Sequence, residues 1–550
     1  IMPNVKSFDV VKDKPRRRSR FDIPYNFVGT GNEGALIPFY MEEVVAGDTF
    51  DIKEHHTVRY LQTPARPTMQ PAYLDQYYFF VPFRLLWKHW DKFFGVAEAS
   101  DYDVDTSYVI PKITGESGAG VVKGSVANCM KLPIGYEGDI NNPLPLLAYL
   151  KIWADHFRDQ QTMDTPAFLE TYYNAASGAS FAADDCGDLA YLISSLAGAD
   201  RVTSVCKYHD YFTSSLIQTQ RGVMTTFSLA GFAPIIGGNS LHNVGTNGIQ
   251  FGAGSGALGT SNGEVFLGAG GTVPGTATQI TQTNLLADMS NISTFSIEDF
   301  RVAAATQVYK EKLLLFGSGN YHDLLRGMYG VAPHDETLQR SEILGGSHQM
   351  LNMQQIATTA GTGTVGTASA TSTGTLGAYS LTSGGNRSVI KTFKEPGIVI
   401  GVCAVRVKHY YSQGIAKLYN KTSRFDYYNS TFDALGAQPI KEIEIYAGTD
   451  GTSTNTFAFQ EAWCEYRMSQ NWIAGDVTPG VATDLTAWTY GDNYASAPTR
   501  SAGWIVEDKG RLAQTLAGSS SVGQLLFNFE VINTATRPMS LFSQPSSLGM

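Results

Sequence analysis

Charge is scarce in this sequence. Asp, Glu, Lys and Arg make up 16% of its 550 residues, where a soluble domain ordinarily carries about a quarter. A surface so poor in charge needs cover, and large contacts with neighbouring subunits are one way to supply it. The 28 Tyr and 29 Phe fit that reading, because aromatics gather at interfaces; a large aromatic β core accounts for them equally well. Cysteine is scarce too. The five, at 129, 186, 206, 403 and 464, form no Cys-x-x-Cys pair. That spacing argues against a zinc knuckle and a disulfide framework, and suits a reducing compartment. The longest apolar run, Gly397 to Val405, is nine residues, far too short to span a bilayer, so no membrane insertion is expected. The first residues hold no apolar core of the kind a signal peptide requires.

Signatures of chemistry are missing as well. Gly-x-x-x-x-Gly-Lys and His-Glu-x-x-His do not occur. Gly29-Thr30-Gly31-Asn32-Glu33-Gly34 spells a dinucleotide turn, but that turn must open a helix, and Pro38 with its β-leaning neighbours argues against one. Asp101, Asp103 and Asp105 resemble the start of a calcium loop. Thr106 and Lys112 then stand where such a loop needs Gly and Glu. His55 and His56 are adjacent on an expected strand, so their rings point to opposite faces and cannot share a metal. The expectation is a non-enzyme with no cofactor and no bound metal.

What charge there is sits unevenly. Residues 1–20 hold Lys6, Lys12, Lys14, Arg16, Arg17, Arg18 and Arg20 against Asp9 and Asp13. Seven minus two is +5, which leaves −15 of the net −10 on the other 530 residues. A basic arm on an acidic body is a footprint of nucleic-acid contact. Lys12, Lys14, Arg16, Arg17, Arg18 and Arg20 are its candidate phosphate ligands.

Beyond the arm the chain reads as mainly β. Asp48 to Lys53 alternates polar and apolar, Tyr73 to Pro82 is an aromatic strand, and Ile398 to Tyr411 is a long apolar one. Lys441 to Tyr446, Trp463 to Met468 and Leu525 to Val531 also read as strands. Helices are expected near 145–159, on the stripe Leu146, Leu150, Trp153 and Phe157, and over 297–316. Early and late strands must share one sheet system, as Greek-key and jelly-roll sandwiches require. Residues 96–390 then become loops and excursions, and loops of that length are uncommon unless they have a function. Two segments stand out. Residues 222–290 carry 15 Gly, no Lys or Arg, and only Glu264 and Asp288 as acids. They still hold Phe227, Phe232, Ile235, Ile236, Phe251 and Phe266, too many apolar residues for a plain linker. Ala357 to Gly385 is almost all Thr, Ala, Gly and Ser, a loop composition.

Taken in order, the motifs resemble one family. They are Arg20-Phe21-Asp22, Leu36 to Tyr40, Gly47 to Phe50, Tyr78-Phe79-Phe80-Val81-Pro82, Trp87-Lys88-His89-Trp90, Phe157-Arg158-Asp159-Gln160 and His209 to Ser214. Leu338-Gln339-Arg340, Leu344-Gly345-Gly346, Arg424-Phe425-Asp426 and Glu465-Tyr466-Arg467 follow. In this order and spacing the chain resembles the major capsid proteins of the gokushovirus branch of the Microviridae. The resemblance implies a single eight-stranded antiparallel jelly roll, a β-sandwich with long loop insertions and a few helices. It implies a virion protein, assembled in the bacterial cytoplasm into a sixty-subunit T=1 icosahedral shell around single-stranded DNA. The expected organisation is a basic arm at 1–20, a jelly-roll domain with interface loops at 21–221 and 291–550, and a Gly-rich surface insertion at 222–290. By position, that insertion is expected at the threefold protrusion, with Phe227, Phe232, Ile235, Ile236, Phe251 and Phe266 packed there and its polar remainder meeting a host-surface receptor such as a glycan. A small basic DNA-binding phage protein is a further expected partner, since the arms leave much phosphate unneutralised. The residues alone leave other readings open, a secreted β-rich carbohydrate-binding or adhesive protein first, then a sandwich-type glycoside hydrolase.

Overall fold

The computed structural model describes residues 18–96, 107–115, 120–182, 204–223, 235–237, 258–261, 264–267, 285–287, 297–315, 321–357, 359, 374, 376–448, 455–481, 485–517 and 523–542. Asp101, Asp103 and Asp105 fall outside them. The chain divides into two compact units, residues 1–219 with 313–550, and residues 220–312.

Eight strands build the larger unit: β1 (Ser19–Gly31), β2 (Ile37–Val44), β3 (Thr49–Tyr60), β4 (Ala72–Pro82), β5 (Glu342–Met350), β6 (Thr382–Thr392), β7 (Gly397–Val407) and β8 (Leu525–Arg537). They form two antiparallel four-stranded sheets, in the orders β1–β8–β3–β6 and β5–β4–β7–β2. The first strand thus pairs with the last, from Ser19 opposite Arg537 to Gly31 opposite Leu525. Pro24 is tolerated in β1 because an outward amide of an edge strand has no ladder partner.

Burial explains each strand's composition. In β8 the even-numbered Asn528, Glu530 and Ile532 are exposed, while Phe527, Phe529 and Val531 are buried. β3 likewise buries Phe50, Ile52 and Val58 and exposes Lys53, His55 and Arg59. Their buried sides meet the second sheet across an aromatic layer. Phe39 of β2 stacks on Phe529 at 4.2 Å between ring centroids, and Phe393 packs against Phe50 and Phe80 at 5.3 and 4.6 Å. The second sheet is covered on its other face too. There Phe79, Val81, Ile398, Ile400 and Val402 join a second core with Trp87, Tyr211, Phe212 and the helix α1 (Leu144–Ile152). This is why β7 is apolar from Gly397 to Val405 and alternation disappears from it. α1 is buried nearly all round, not along one stripe, and its Tyr149 hydroxyl donates to the Leu36 carbonyl at 2.8 Å. It continues as a wider π turn, Trp153–Phe157. Helices α2 (Ala167–Tyr173), α3 (Ile297–Leu315) and α4 (Tyr321–Tyr329) complete the helical content that concerns us.

Several expectations need correction. Lys441 to Tyr446 does not continue as a strand: the strand Ala437–Lys441 stops, and Glu442–Glu444 form a 3-10 turn. The Glu444 carboxyl accepts the Lys441 N–H at 3.0 Å and the Tyr211 hydroxyl at 3.0 Å, which folds the chain inward. Trp463 to Met468 is not a strand either. Trp463 takes a left-handed φ of 66° and the chain turns at Cys464–Tyr466. Residues 96–390 are more than excursions, since they supply β5 and β6. Within Ala357 to Gly385, Leu376–Ser380 pairs with Met353–Ala357, and β6 then runs through Gly384. A Cβ at Gly385 would lie 2.9 Å from the Glu54 carbonyl oxygen of the paired strand, so a residue typical of loops suits this strand.

The alternation in β8 yields a test. Phe529→Ala, which removes a fully buried stacked ring, should lower stability by about 3–5 kcal/mol. Its exposed neighbour Asn528→Ala should change it by less than about 0.5 kcal/mol. Denaturant unfolding of the purified chain measures both, and equal effects would contradict the two-faced strand.

Candidate nucleic-acid interface

The basic arm enters the sandwich at one corner. Arg18 is exposed just before β1, and Arg20 projects from its outer face. Arg20 Nε lies 3.6 Å from an Asp22 oxygen, with both side chains more than half exposed. Such a pair contributes at most about 1 kcal/mol. At the far end of β8, Arg537 donates to Glu42 at 2.8 Å and to the Glu43 carbonyl at 3.0 Å, and its Nε stands 3.5 Å from Asp48. Burial raises the Asp48 carboxyl pKa; the Val45 N–H, Arg537 and Arg18 offset part of that rise. The corner therefore sets Arg18, Arg20 and Arg537 against Asp22, Glu42 and Asp48, and carries little net charge. Lys12, Lys14, Arg16 and Arg17 lie outside the described residues. Of the six expected phosphate ligands, the corner holds only Arg18 and Arg20.

The insertion residues are placed only by backbone. Ile235 and Ile236 lie in a strand, Ile235–Gly237, paired with Leu285–Ala287, and Phe266 lies in a hairpin of Leu258–Ser261 with Glu264–Leu267. Phe227, Phe232 and Phe251 are outside the described residues. The glycine-rich Gly29 to Gly34 spans the end of β1 and a turn into β2, a strand on either side. His55 is exposed on β3 while His56 is buried behind it, 2.8 Å from Glu54 and 2.6 Å from Gln349. Among the described residues, no group of three or more His, Cys, Asp or Glu is arranged to hold a metal, and no helix is long and apolar enough to cross a membrane. Cys129, Cys206, Cys403 and Cys464 are free thiols. Burial pushes Cys129 and Cys206 up to about 12, which keeps them unreactive.

One buried polar cluster gave no sequence signal. His409, just past β7, donates from Nδ1 to Asp492 at 3.0 Å and from Nε2 to Glu507 at 3.0 Å. All three are buried, as is Glu33, which accepts the Leu512 N–H at 2.6 Å. Gly34, at φ +75°, lets the chain pass so close that a Cβ would overlap the Glu507 carbonyl oxygen. Burial disfavours the His409 imidazolium, but Glu507 and Asp492 outweigh it and hold the pKa up to about 10. Burial and then the proximity of Glu507 push the Glu33 carboxyl well above its usual range. Both imidazole nitrogens are thus engaged by acids and neither is free to take a proton. The Asp492–His409 pair cannot act as the base of a catalytic dyad. It ties the Glu33 turn, the end of β7 and the 492–512 loops into one unit.

With this geometry in hand, the comparisons with known proteins are decisive. The family model described as capsid protein (F protein) matches residues 10–547. The chain belongs to that capsid protein family. It is 32% identical to capsid protein VP1 of Spiroplasma virus 4 over 562 aligned residues, covering 98% of this chain and 97% of that protein. Capsid protein VP1 of Bdellovibrio phage phiMH2K is 29% identical, over 99% of this chain and 98% of that protein. Capsid protein VP1 of Chlamydia phage 1 is 27% identical, over 98% and 97%. The chain is a major capsid protein of the Microviridae type, structural in role and located in the virion. For a capsid protein the His409 cluster reads as an internal tie, and the secreted adhesive and hydrolase readings lose their footing.

The cluster makes stability depend on pH. Unfolded, His409 titrates at about 6.5, and folded at about 10. Its contribution is full below about 6.5 and is lost as pH rises towards about 10. Glu33 ionises near 4.5 when unfolded but stays protonated well above that when folded, so it acts in the same direction. The thermal midpoint of the purified capsid protein should fall across the alkaline range. Glu33→Gln keeps an acceptor for Leu512 and should make that fall shallower. His409→Asn leaves buried acids unpaired and should cost about 3–5 kcal/mol near neutrality. A midpoint independent of pH in the wild type would contradict the assignment.

Proposed function

We propose that this capsid protein is the single building block of a sixty-subunit T=1 icosahedral shell that encloses single-stranded DNA, and that it has no enzymatic activity. The observation that carries the reading is the family match along nearly the whole chain. The strand orders support it further. Pairing the first strand with the eighth, third and sixth, and the second with the seventh, fourth and fifth, is the double Greek-key order of a jelly roll. Closed point-group symmetry requires one chain to present different surfaces around fivefold, threefold and twofold axes, and the long segments between β4 and β5 and between β7 and β8 are the material for them.

The arm is the proposed DNA contact. Its +5 charge binds phosphate through counterion release, without sequence preference. Sixty arms supply about 300 positive charges, fewer than the phosphates of a genome of thousands of nucleotides, so a small basic phage protein or cations complete the neutralisation. Assembly takes place in the cytoplasm of a bacterial host, in keeping with relatives from Spiroplasma, Bdellovibrio and Chlamydia viruses. The 222–290 insertion is the proposed threefold protrusion and host contact. Its Phe, Ile and Leu residues would pack among three copies, leaving Gly, Thr, Ser and Asn outside to hydrogen-bond a glycan.

Two experiments test these roles. Replacing Arg16, Arg17, Arg18 and Arg20 by Gln should lower the DNA content or the yield of filled particles, read from the ratio of absorbance at 260 to 280 nm. Unchanged packaging would reject the arm as a DNA ligand. Replacing residues 228–286 by a short Gly-Ser linker should leave shells that form but bind cells poorly in an adsorption assay. Normal adsorption of such shells would exclude the receptor role.

A further inference from the structure

One surface of the larger unit is unlike the rest. After β7 the chain runs through residues 416–436 with no strand or α-helix, only the 3-10 turns Lys417–Asn420, Arg424–Asp426 and Ser430–Leu435. It lies against the turn at Trp463–Arg467. Tyr419 is 80% exposed, and Phe425, Tyr427, Tyr428 and Tyr466 are each more than half exposed, with Leu418 and Leu435 beside them in sequence. Four of these five rings, Phe425, Tyr427, Tyr428 and Tyr466, are held in place. The Lys421 ammonium sits 4.4 Å from the Tyr466 ring centre and 5.3 Å from that of Tyr427. Phe425 packs on Phe432 at 5.0 Å, and Tyr428 meets the buried Trp463 edge-on at 5.8 Å.

The charges around these rings sum to zero, Lys417, Lys421, Arg424 and Arg467 against Asp426, Asp433, Glu461 and Glu465. Lys417 and Lys421 both reach Glu465, at 3.1 and 2.9 Å. Arg467 reaches Glu461 at 2.7 Å, and Asp426 accepts the N–H groups of Thr422 and Ser423. A surface whose cations are neutralised from within exerts little pull on phosphate. Aromatic and without net charge, it has the composition of an interface centre. The exposed fractions of the five rings amount to about three whole aromatic side chains, or roughly 450–750 Å². One partner contributes about 800 Å² to a standard interface. The loop therefore carries most of one side of a stable contact.

We propose that the aromatic surface of residues 416–436, backed by Tyr466, is the apolar centre of a contact between two copies of this chain. The inference rests on the shell reading above and assigns one of its contacts to named residues. The held rings lower the entropy lost on docking, and the near-zero net charge of the patch avoids repulsion between like-charged copies.

The test is a Tyr419→Asp/Tyr427→Asp double variant beside Tyr419→Phe/Tyr427→Phe, each expressed as the full chain. Carboxylates in a desolvated contact should cut the yield of sedimenting shells at least tenfold, while the soluble subunit keeps the wild-type thermal midpoint. The Phe variant should assemble as the wild type does. Shells of the Asp variant in normal yield would overturn the proposal, and normal shells with reduced DNA would assign the surface to nucleic acid instead. A second measurement does not depend on how that variant folds. Tyr419→Cys should react with a maleimide in the dissociated subunit and be protected in the shell; equal labelling in both would overturn the proposal. Absence of shells from the wild-type chain would overturn the shell reading and this inference together, whereas failure in the variants' predicted pattern overturns this one only.

Discussion

β4 and β7, the central strands of the sheet β5–β4–β7–β2, are enclosed on both faces, and the rest of the larger unit follows from that enclosure. Backbone amides in such a layer have no water to fall back on, so the hydrogen-bond ladder must be complete and the side chains apolar on both sides. β7 meets the demand with Val, Ile, Ala, Gly and Cys from residue 397 to 405. The outer sheet covers one face through Phe50, Phe527 and Phe529, with Phe393 just past β6. α1, Trp87, Tyr211 and Phe212 cover the other. The segments wound over that second face therefore have a structural duty as well as a surface to offer.

This division explains where polar groups are found. The outer sheet has one wet face, so it keeps alternation and turns Lys53, Arg59 and Glu530 outward. Many of the polar groups buried near the covered sheet gather in clusters. Asp75 meets Arg406, His348 and Tyr208, and His409 meets Asp492 and Glu507. Each cluster joins segments remote in sequence, which fixes loops that no regular hydrogen bonding would hold. Apolar groups left exposed, above all the rings of 416–436, then stand out as surface that other copies can cover.

Much of the fold was legible in the sequence for physical reasons. β3 and β8 alternate because one side is wet, and β7 is continuously apolar because neither side is. β5 and β6 were missed, because Gly345, Gly346, Gly384 and Gly385 with their polar neighbours resemble loop sequence until paired partners are known. The turns at Glu442–Glu444 and Trp463 were misread because alternation does not show that Glu444 folds back on Lys441. The basic arm was visible from charge counting, while Asp48, which faces Arg18 and Arg537, stands in the distant turn between β2 and β3. The His409 cluster was invisible: its partners lie 83 and 98 residues away, with no local motif.

The central claim is that each chain completes its own sandwich and assembles through surface that the sandwich leaves over. Amide hydrogen exchange on dissociated subunits and on assembled shells tests it directly. The account predicts that β4, β7 and β8 are already the slowest-exchanging segments in the subunit, while residues 416–436 gain protection only in the shell. Fast exchange of β7 in the subunit, with protection appearing only on assembly, would contradict it.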